Sequence, residues 1–342
     1  MLFSILIPVR NDLTNLVCCL QSLGTQDLSD CEILVADDGS QPPVALEDLP
    51  AMERPFRLFR LAGHGPAVAR NCLADQAHGD YLFFLDADTQ ANPRLLECAR
   101  RVIAEHPGIR SFFGSYDDAP AWPSLISVYR NLLHHHVHQQ SAGREVSTFW
   151  CGCGVIQRGL YLECGGLSDA YRTASIEDLA FGVRLLERGV LTRIVPDLQV
   201  KHFKRWTLGS WLHTDLFRRG IPWVRLMRAR GEWTGQLNFS LSQRVAALAA
   251  VAVAATLAIA PWRPEIALLA SVPLATFTYL NRAFFRLIAR KRGIPTMIAT
   301  VPLHLIYALI CVASVVMGFL YPALKLESGK RLAAPSLVKQ VG

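Results

Sequence analysis

Charge is scarce in this chain: Asp, Glu, Lys and Arg make up 18% of 342 residues. A disordered, self-repelling polymer is excluded on that ground. Glycine and proline, at 23 and 19 residues, are too few for a collagen-like or low-complexity chain. A secretory leader is not apparent, since Met1-Leu-Phe-Ser-Ile-Leu-Ile-Pro8 has no basic region and too short an apolar core. That opening reads as a first buried strand. A disulfide framework is missing as well. The nine cysteines are odd in number, Cys18 and Cys19 are adjacent, and Cys72 and Cys98 fall in helical patterns. A reducing compartment is expected.

Apolar residues, by contrast, make up 51% of the chain, with a mean hydropathy of +0.24. They concentrate beyond Leu241. Residues 241–260 carry one charge, Arg244, and 265–280 and 297–321 are similarly apolar. Roughly twenty such residues cross a bilayer, so about three anchoring helices are expected over 241–321, the second marginal. Trp262-Arg-Pro-Glu265 would turn a hairpin, and basic Arg282–Arg292 belongs on the cytoplasmic side. A basic tail, 322–342, follows, and because an odd number of spans would put it outside, two or four crossings stay open. Within 206–240, Arg218, Arg219, Arg225, Arg228 and Arg230 interleave with Trp211, Phe217, Trp223 and Met227. Such a pattern predicts an amphipathic segment in the membrane interface. The net charge of +7 therefore points to a membrane surface, and no nucleic-acid partner is expected.

Up to about residue 205 the chain alternates short apolar runs with helical periods. Strands are predicted near 4–9, 32–36, 57–61 and 81–85, with helices near 13–23 and 66–76. The implied fold is α/β, a Rossmann-like, mostly parallel sheet with helices on both faces. Ligands of such sheets bind beyond the carboxyl ends of the strands. Two pairs of acids stand there, Asp37 with Asp38 and Asp86 with Asp88. An extended Asp-Ala-Asp segment would place Asp86 and Asp88 on one side. Hard Mg²⁺ or Mn²⁺ suits such oxygen ligands.

Five segments then carry a resemblance: Ser4-Ile-Leu-Ile-Pro-Val-Arg-Asn11, Val35-Ala-Asp-Asp-Gly-Ser40, Gly65-Pro-Ala-Val-Ala-Arg-Asn71, Asp86-Ala-Asp88, and Gly165-Gly166 leading to Ile176-Glu-Asp-Leu179. In this order the chain resembles inverting glycosyltransferases of family 2, with a GT-A catalytic domain over 1–205. The resemblance implies a nucleotide-sugar donor, UDP-linked by preference with a GDP-sugar as the other choice. Asp88 would hold the metal, and Asp86 the metal or the ribose. Asp37 and Asp38 would meet base and ribose, with Pro8 and Arg10 closing the same pocket. Arg70 is either a cation for nucleotide or phosphate, or an ordinary helix-surface arginine.

The same resemblance makes Asp178 the general base, supported by Glu177, and His202 a third metal ligand. Helix-start acids explain the Glu-Asp pair equally well from sequence alone. His202-Phe-Lys-Arg205-Trp206 resembles the Gln-x-x-Arg-Trp element of processive members, with His in place of Gln. Trp150, Arg205 and Trp206 are acceptor candidates. His134 and His138 share a helix face and suggest headgroup contact or exposure rather than zinc. The expected activity is sugar transfer to a lipid or lipid-linked hydroxyl at the cytoplasmic face of the inner membrane, by a multi-pass protein with its catalytic domain in the cytosol. A polyprenyl-phosphate acceptor is the alternative, and a non-catalytic membrane scaffold with a relic domain is the reading from another class.

Overall fold

The computed structural model describes residues 1–53, 55–171, 173–231, 240–322 and 339–341. In chain order the elements begin β1 (Phe3–Val9), α1 (Leu13–Gly24), β2 (Cys31–Asp37), β3 (Phe56–Arg60), α2 (Pro66–Gln76), β4 (Tyr81–Leu85), β5 (Thr89–Ala91), α3 (Leu95–Glu105) and β6 (Ser111–Tyr116). There follow α4 (Leu125–Gln140), β7 (Glu145–Val146), β8 (Cys153–Gln157), α5 (Arg158–Glu163), α6 (Glu177–Glu187) and β9 (Thr192–His202). The remainder is helical: α7 (Leu208–His213), a π-helical turn Thr214–Gly220, α8 (Ile221–Arg230), α9 (Leu241–Ile259), α10 (Ser271–Leu280), α11 (Arg282–Arg292) and α12 (Ile294–Leu320), before a last strand, β10 (Lys339–Val341).

The chain forms two compact units. One holds Met1–Ala121, His138–Lys204 and the C-terminal strand; the other holds Trp122–Val137 and Arg205–Leu326. Residues 122–137 lie in the helical unit, although the chain before and after them lies in the sheet unit. The reason lies in their side chains: Val128, Tyr129, Leu132 and Leu133 are buried in the helical unit's own core.

In the sheet unit, the strand order is β10-β3-β2-β1-β4-β8-β6-β9-β5. Strands β3, β2, β1 and β4 pair in parallel, as expected. The other half is mixed, because β8 runs antiparallel to both β4 and β6. Alternation explains why helices cover both faces. Phe3, Ile5, Ile7, Ile33, Val35, Phe83 and Leu85 pack with α1 and α3, whereas Leu6, Leu34, Ala36, Leu82 and Phe84 pack with α2, α5 and α6. Each such side chain contributes about 1.5–3 kcal/mol on burial. All nine cysteines are free.

In the helical unit, α9 and α12 are the two helices long and apolar enough to cross a membrane, by length and composition. The expected span over 265–280 is broken. Pro264–Ala270 is a 3₁₀ stretch and only Ser271–Leu280 is α-helical, and the segment falls among the shorter apolar helices. Nor do the aromatic residues of the expected interfacial segment face outward as a set. Trp206 and Trp211 are buried, because Asp215 accepts from Trp211 Nε1 at 2.7 Å and pairs with Arg130 at 2.9 Å. Arg228 caps α12 by donating to the carbonyls of Gly318, Phe319 and Tyr321, a favourable place for a cation. Most of the expected basic tail, and residues 232–239 of the expected interfacial segment, lie outside the described residues.

Candidate active site

The rim of the sheet at the carboxyl ends of β1 and β2 is held by two buried acids. Asp37 accepts from the backbone N–H of Ser40 at 2.9 Å and of Val44 at 3.0 Å. Asp38 accepts from the backbone N–H of His64 at 2.8 Å and of Gly65 at 2.7 Å. They are 1% and 3% exposed. Both were expected to meet base and ribose. Each also holds a loop behind the rim, where buried N–H groups would otherwise lack acceptors. Gly65, at φ 100°, takes the backbone into α2 where a side chain would be strained. Pro8 is half-buried at the end of β1, and Arg10 is exposed, its guanidinium beside Gly63 of the neighbouring loop.

Beyond β4, Asp86-Ala-Asp88 is a turn and not the extended segment expected. The N–H and Oγ1 of Thr89 both donate to the Asp86 carbonyl, and the two carboxylates take different partners. Asp86 Oδ1 lies 2.5 Å from Arg70 Nη2. Asp88 Oδ2 lies 3.3 Å from His202 Nε2. Surrounding protein pushes the Asp86 pKa up, with Arg70 pulling against it and Asp88 adding to it. Burial would raise Asp88 too, but His202 and then Lys204 outweigh it and hold this carboxyl below its usual range. Asp86, expected to meet the metal or the ribose, is thus paired with Arg70.

Arg70 is 6% exposed, so it is no ordinary helix-surface arginine. Its second nitrogen, Nη1, lies 3.6 Å from Glu177 Oε1. One guanidinium therefore joins the acids beyond β4 to those that open α6. Glu177 is buried, and its Oε2 accepts from Ser175 N–H at 2.7 Å. Asp178, next in the first turn, is half-buried and accepts from Leu179 N–H at 2.8 Å. Cys151 lies within electrostatic reach of Arg70, Asp178, Glu177 and Asp86, and burial pushes its thiol far up.

The acceptor candidates are placed less uniformly. Trp150 is half-buried, with a face against Gly152 and an edge-on contact to Tyr116 at 4.9 Å. Trp206 is buried under Arg130, 5.2 Å from its ring, which removes it as a stacking platform. Arg205 stays exposed, over Trp122. His138, expected at a headgroup or in solvent, is buried and its Nδ1 pairs with the Gly114 carbonyl at 2.9 Å. Sequence reasoning gave no weight to Tyr116, which stacks on His202 at 4.3 Å, and undervalued Asn71. The Asn71 amide ties α2 to Leu167 and Tyr161 through bonds of 2.6–2.9 Å. Its place directly after Arg70 in a buried helix was the available signal.

The family model for glycosyl transferase family 2 matches residues 4–165, which include the whole rim and Asp86-Ala-Asp88. Over that stretch the chain carries a glycosyltransferase family 2 domain. The match and its relatives make the protein an enzyme of the transferase class. An uncharacterized glycosyltransferase of Haemophilus influenzae is 29% identical over 238 residues, 66% of this chain and 76% of that protein. The pre-mycofactocin glycosyltransferase of Mycobacterium tuberculosis is 26% identical over 64% of this chain and 46% of its own length. Among solved structures, the mannosyltransferase PcManGT of Pyrobaculum calidifontis, in complex with GDP-Man and Mn²⁺, is 16% identical. It covers 93% of this chain and 86% of its own, with a TM-score of 0.47.

Does a divalent ion fit this glycosyltransferase? Among the described residues no three His, Cys, Asp or Glu side chains form a metal cage. Asp88 and His202, however, bring a carboxylate oxygen and an imidazole nitrogen together. Hard ions in phosphate-transferring sites are held by one or two protein groups plus substrate phosphates. A two-residue hold therefore suits them.

Proposed function

We propose that the protein is a membrane-anchored, inverting glycosyltransferase that moves a sugar from a nucleoside-diphosphate sugar to a lipid or lipid-linked hydroxyl. The observation that carries this reading is the Arg70 bridge, which joins Asp86 to Glu177 and so brings the donor-side acids next to the first turn of α6. Asp88 and His202 would hold Mg²⁺ or Mn²⁺, which when bound neutralises the diphosphate as it leaves. Pro8 and Arg10 flank the nucleotide at the strand ends. Asp178 takes the proton from the acceptor hydroxyl as its oxygen bonds to the anomeric carbon; the sugar–phosphate bond breaks and its electron pair departs with the nucleoside diphosphate. Attack from the side opposite the leaving group inverts the anomeric centre.

Purified protein given UDP- and GDP-sugars, membrane lipids and Mn²⁺ is expected to release nucleoside diphosphate, and to stop when EDTA is added. No release from any donor would overturn the reading. The linkage of the product separates a hydroxyl acceptor from a polyprenyl phosphate.

Anchoring at the cytoplasmic face of the inner membrane, through α9 and α12, is supported by the charge on α11. Arg282, Arg286 and Arg290 are exposed at helical spacing while Phe284, Phe285 and Ile288 are buried. A basic residue near an anionic leaflet contributes about 1 kcal/mol. In native mass spectra from mixed micelles, the protein is expected to retain phosphatidylglycerol over phosphatidylcholine. The triple variant Arg282→Glu, Arg286→Glu, Arg290→Glu should lose that preference. An unchanged preference would mean that α11 does not face headgroups.

A further inference from the structure

Building on the reading that Asp88 and His202 hold the divalent ion, we infer that Tyr116 is a positioning residue that fixes the His202 imidazole for metal binding. A histidine that ligates a metal is usually oriented by a hydrogen bond from its other ring nitrogen to a carboxylate or carbonyl. Among the described residues His202 has no such bond. Its one polar contact is the 3.3 Å approach of Nε2 to Asp88. What bounds the ring is the Tyr116 ring, stacked at 4.3 Å between centroids and 10° between planes.

The backbone shows why Tyr116 stands there. Phe113 in β6 pairs with Ile194 in β9, yet Ser115 pairs with Gln199, so β9 takes up three extra residues between them. An odd slip turns side chains to the opposite face. It sets Tyr116 beside Val200, and therefore on the same face as His202, two residues on. The irregularity depends on Gly114, where a Cβ would lie 1.9 Å from the Leu198 carbonyl oxygen. The Gly114 carbonyl in turn receives His138 Nδ1. His138 packs edge-on to Trp150 at 5.4 Å, and Trp150 edge-on to Tyr116 at 4.9 Å. A continuous run of rings thus leads from the β6 irregularity to the Asp88 partner. Tyr116 is 9% exposed, so its ring has little room to turn away.

The test measures Mn²⁺ alone, by EPR of the free ion, on the full-length protein in detergent. Tyr116→Phe keeps the ring face and is expected to bind Mn²⁺ within about twofold of the parent. Tyr116→Met keeps the volume without the face and should weaken binding about tenfold, the scale of lost outer-shell support, with the melting temperature held. In pulsed EPR the histidine nitrogen coupling should persist in Tyr116→Phe and fade in Tyr116→Met. His202→Ala separates the two layers of the argument. If it weakens Mn²⁺ binding while Tyr116→Met does not, the positioning role is overturned and the metal reading stands. Parent-like binding by His202→Ala would remove the metal reading and this inference together. If Tyr116→Met lowers the melting temperature, a retained nitrogen coupling in its folded fraction overturns the inference and a lost one supports it.

Discussion

Replacing Asp178 with Asn is expected to lower turnover by about 10²- to 10⁴-fold, the range a positioned general base supplies. Nucleotide and Mn²⁺ affinities should stay within about twofold. The substitution is nearly isosteric, and an amide oxygen can still accept from Leu179 N–H, as the carboxylate does at 2.8 Å. The first turn of α6 therefore has no reason to shift. What the amide cannot do is take a proton, and a neutral sugar hydroxyl attacks poorly while it keeps its own. Glu177→Gln is the informative contrast. That side chain is buried beside Arg70, away from solvent, so its loss acts through the cation it faces and is expected to raise the donor KM as well as lower kcat. Turnover by nucleoside diphosphate release, with donor affinity from calorimetry, checks both. If Asp178→Asn keeps half of the parental turnover, the base is another group.

Much of the sheet unit was legible because alternation is a strong signal when both faces are covered. Tyr81-Leu-Phe-Phe-Leu85 reads as a strand and is one, sending Phe83 one way and Phe84 the other. The arrangement of the candidate site was not legible. Asp-Ala-Asp follows a strand and invites an extended reading, yet Thr89 closes a turn on Asp86. Arg70 looked undecided between ligand and surface. Its neighbours carried the missing information, since Ala67, Ala69, Cys72, Leu73 and Ala74 are small or apolar and buried around it.

The helical unit was misread where a single acid changes the meaning of a basic, aromatic run. Asp215 binds Arg130 and Trp211 at once, which turns part of an expected lipid-facing collar into a core. Length was the better guide for α9 and α12. For 265–280 the prolines at 264 and 273 were the warning, because proline suits a helix start and breaks an interior. Register irregularities such as that at Gly114 leave no mark in hydropathy at all, and Tyr116 was missed for that reason.

Replacing Arg70 with Met is expected to cost about 3–5 kcal/mol of stability, the penalty for stranding the partners of a buried cation. The parent guanidinium is buried between Asp86 at 2.5 Å and Glu177 at 3.6 Å, so the variant leaves two acids facing each other across a hole. For a unit of this size such a loss lowers the melting temperature by roughly 10 °C. The pH dependence has a definite sign. Asp86 already has its pKa pushed up by burial and by Asp88, with Arg70 opposing both. Without Arg70 that pKa rises further, so the folded variant binds a proton that the unfolded chain releases. The deficit should therefore be largest at neutral pH and shrink as pH falls towards the range where Asp86 is protonated. Arg70→Lys separates charge from geometry. An ammonium restores the charge but reaches only one acid well, so it should recover most of the stability and little of the turnover. If Arg70→Met melts with the parent at neutral pH, or its deficit grows on acidification, the bridge does not hold the two halves of the site together.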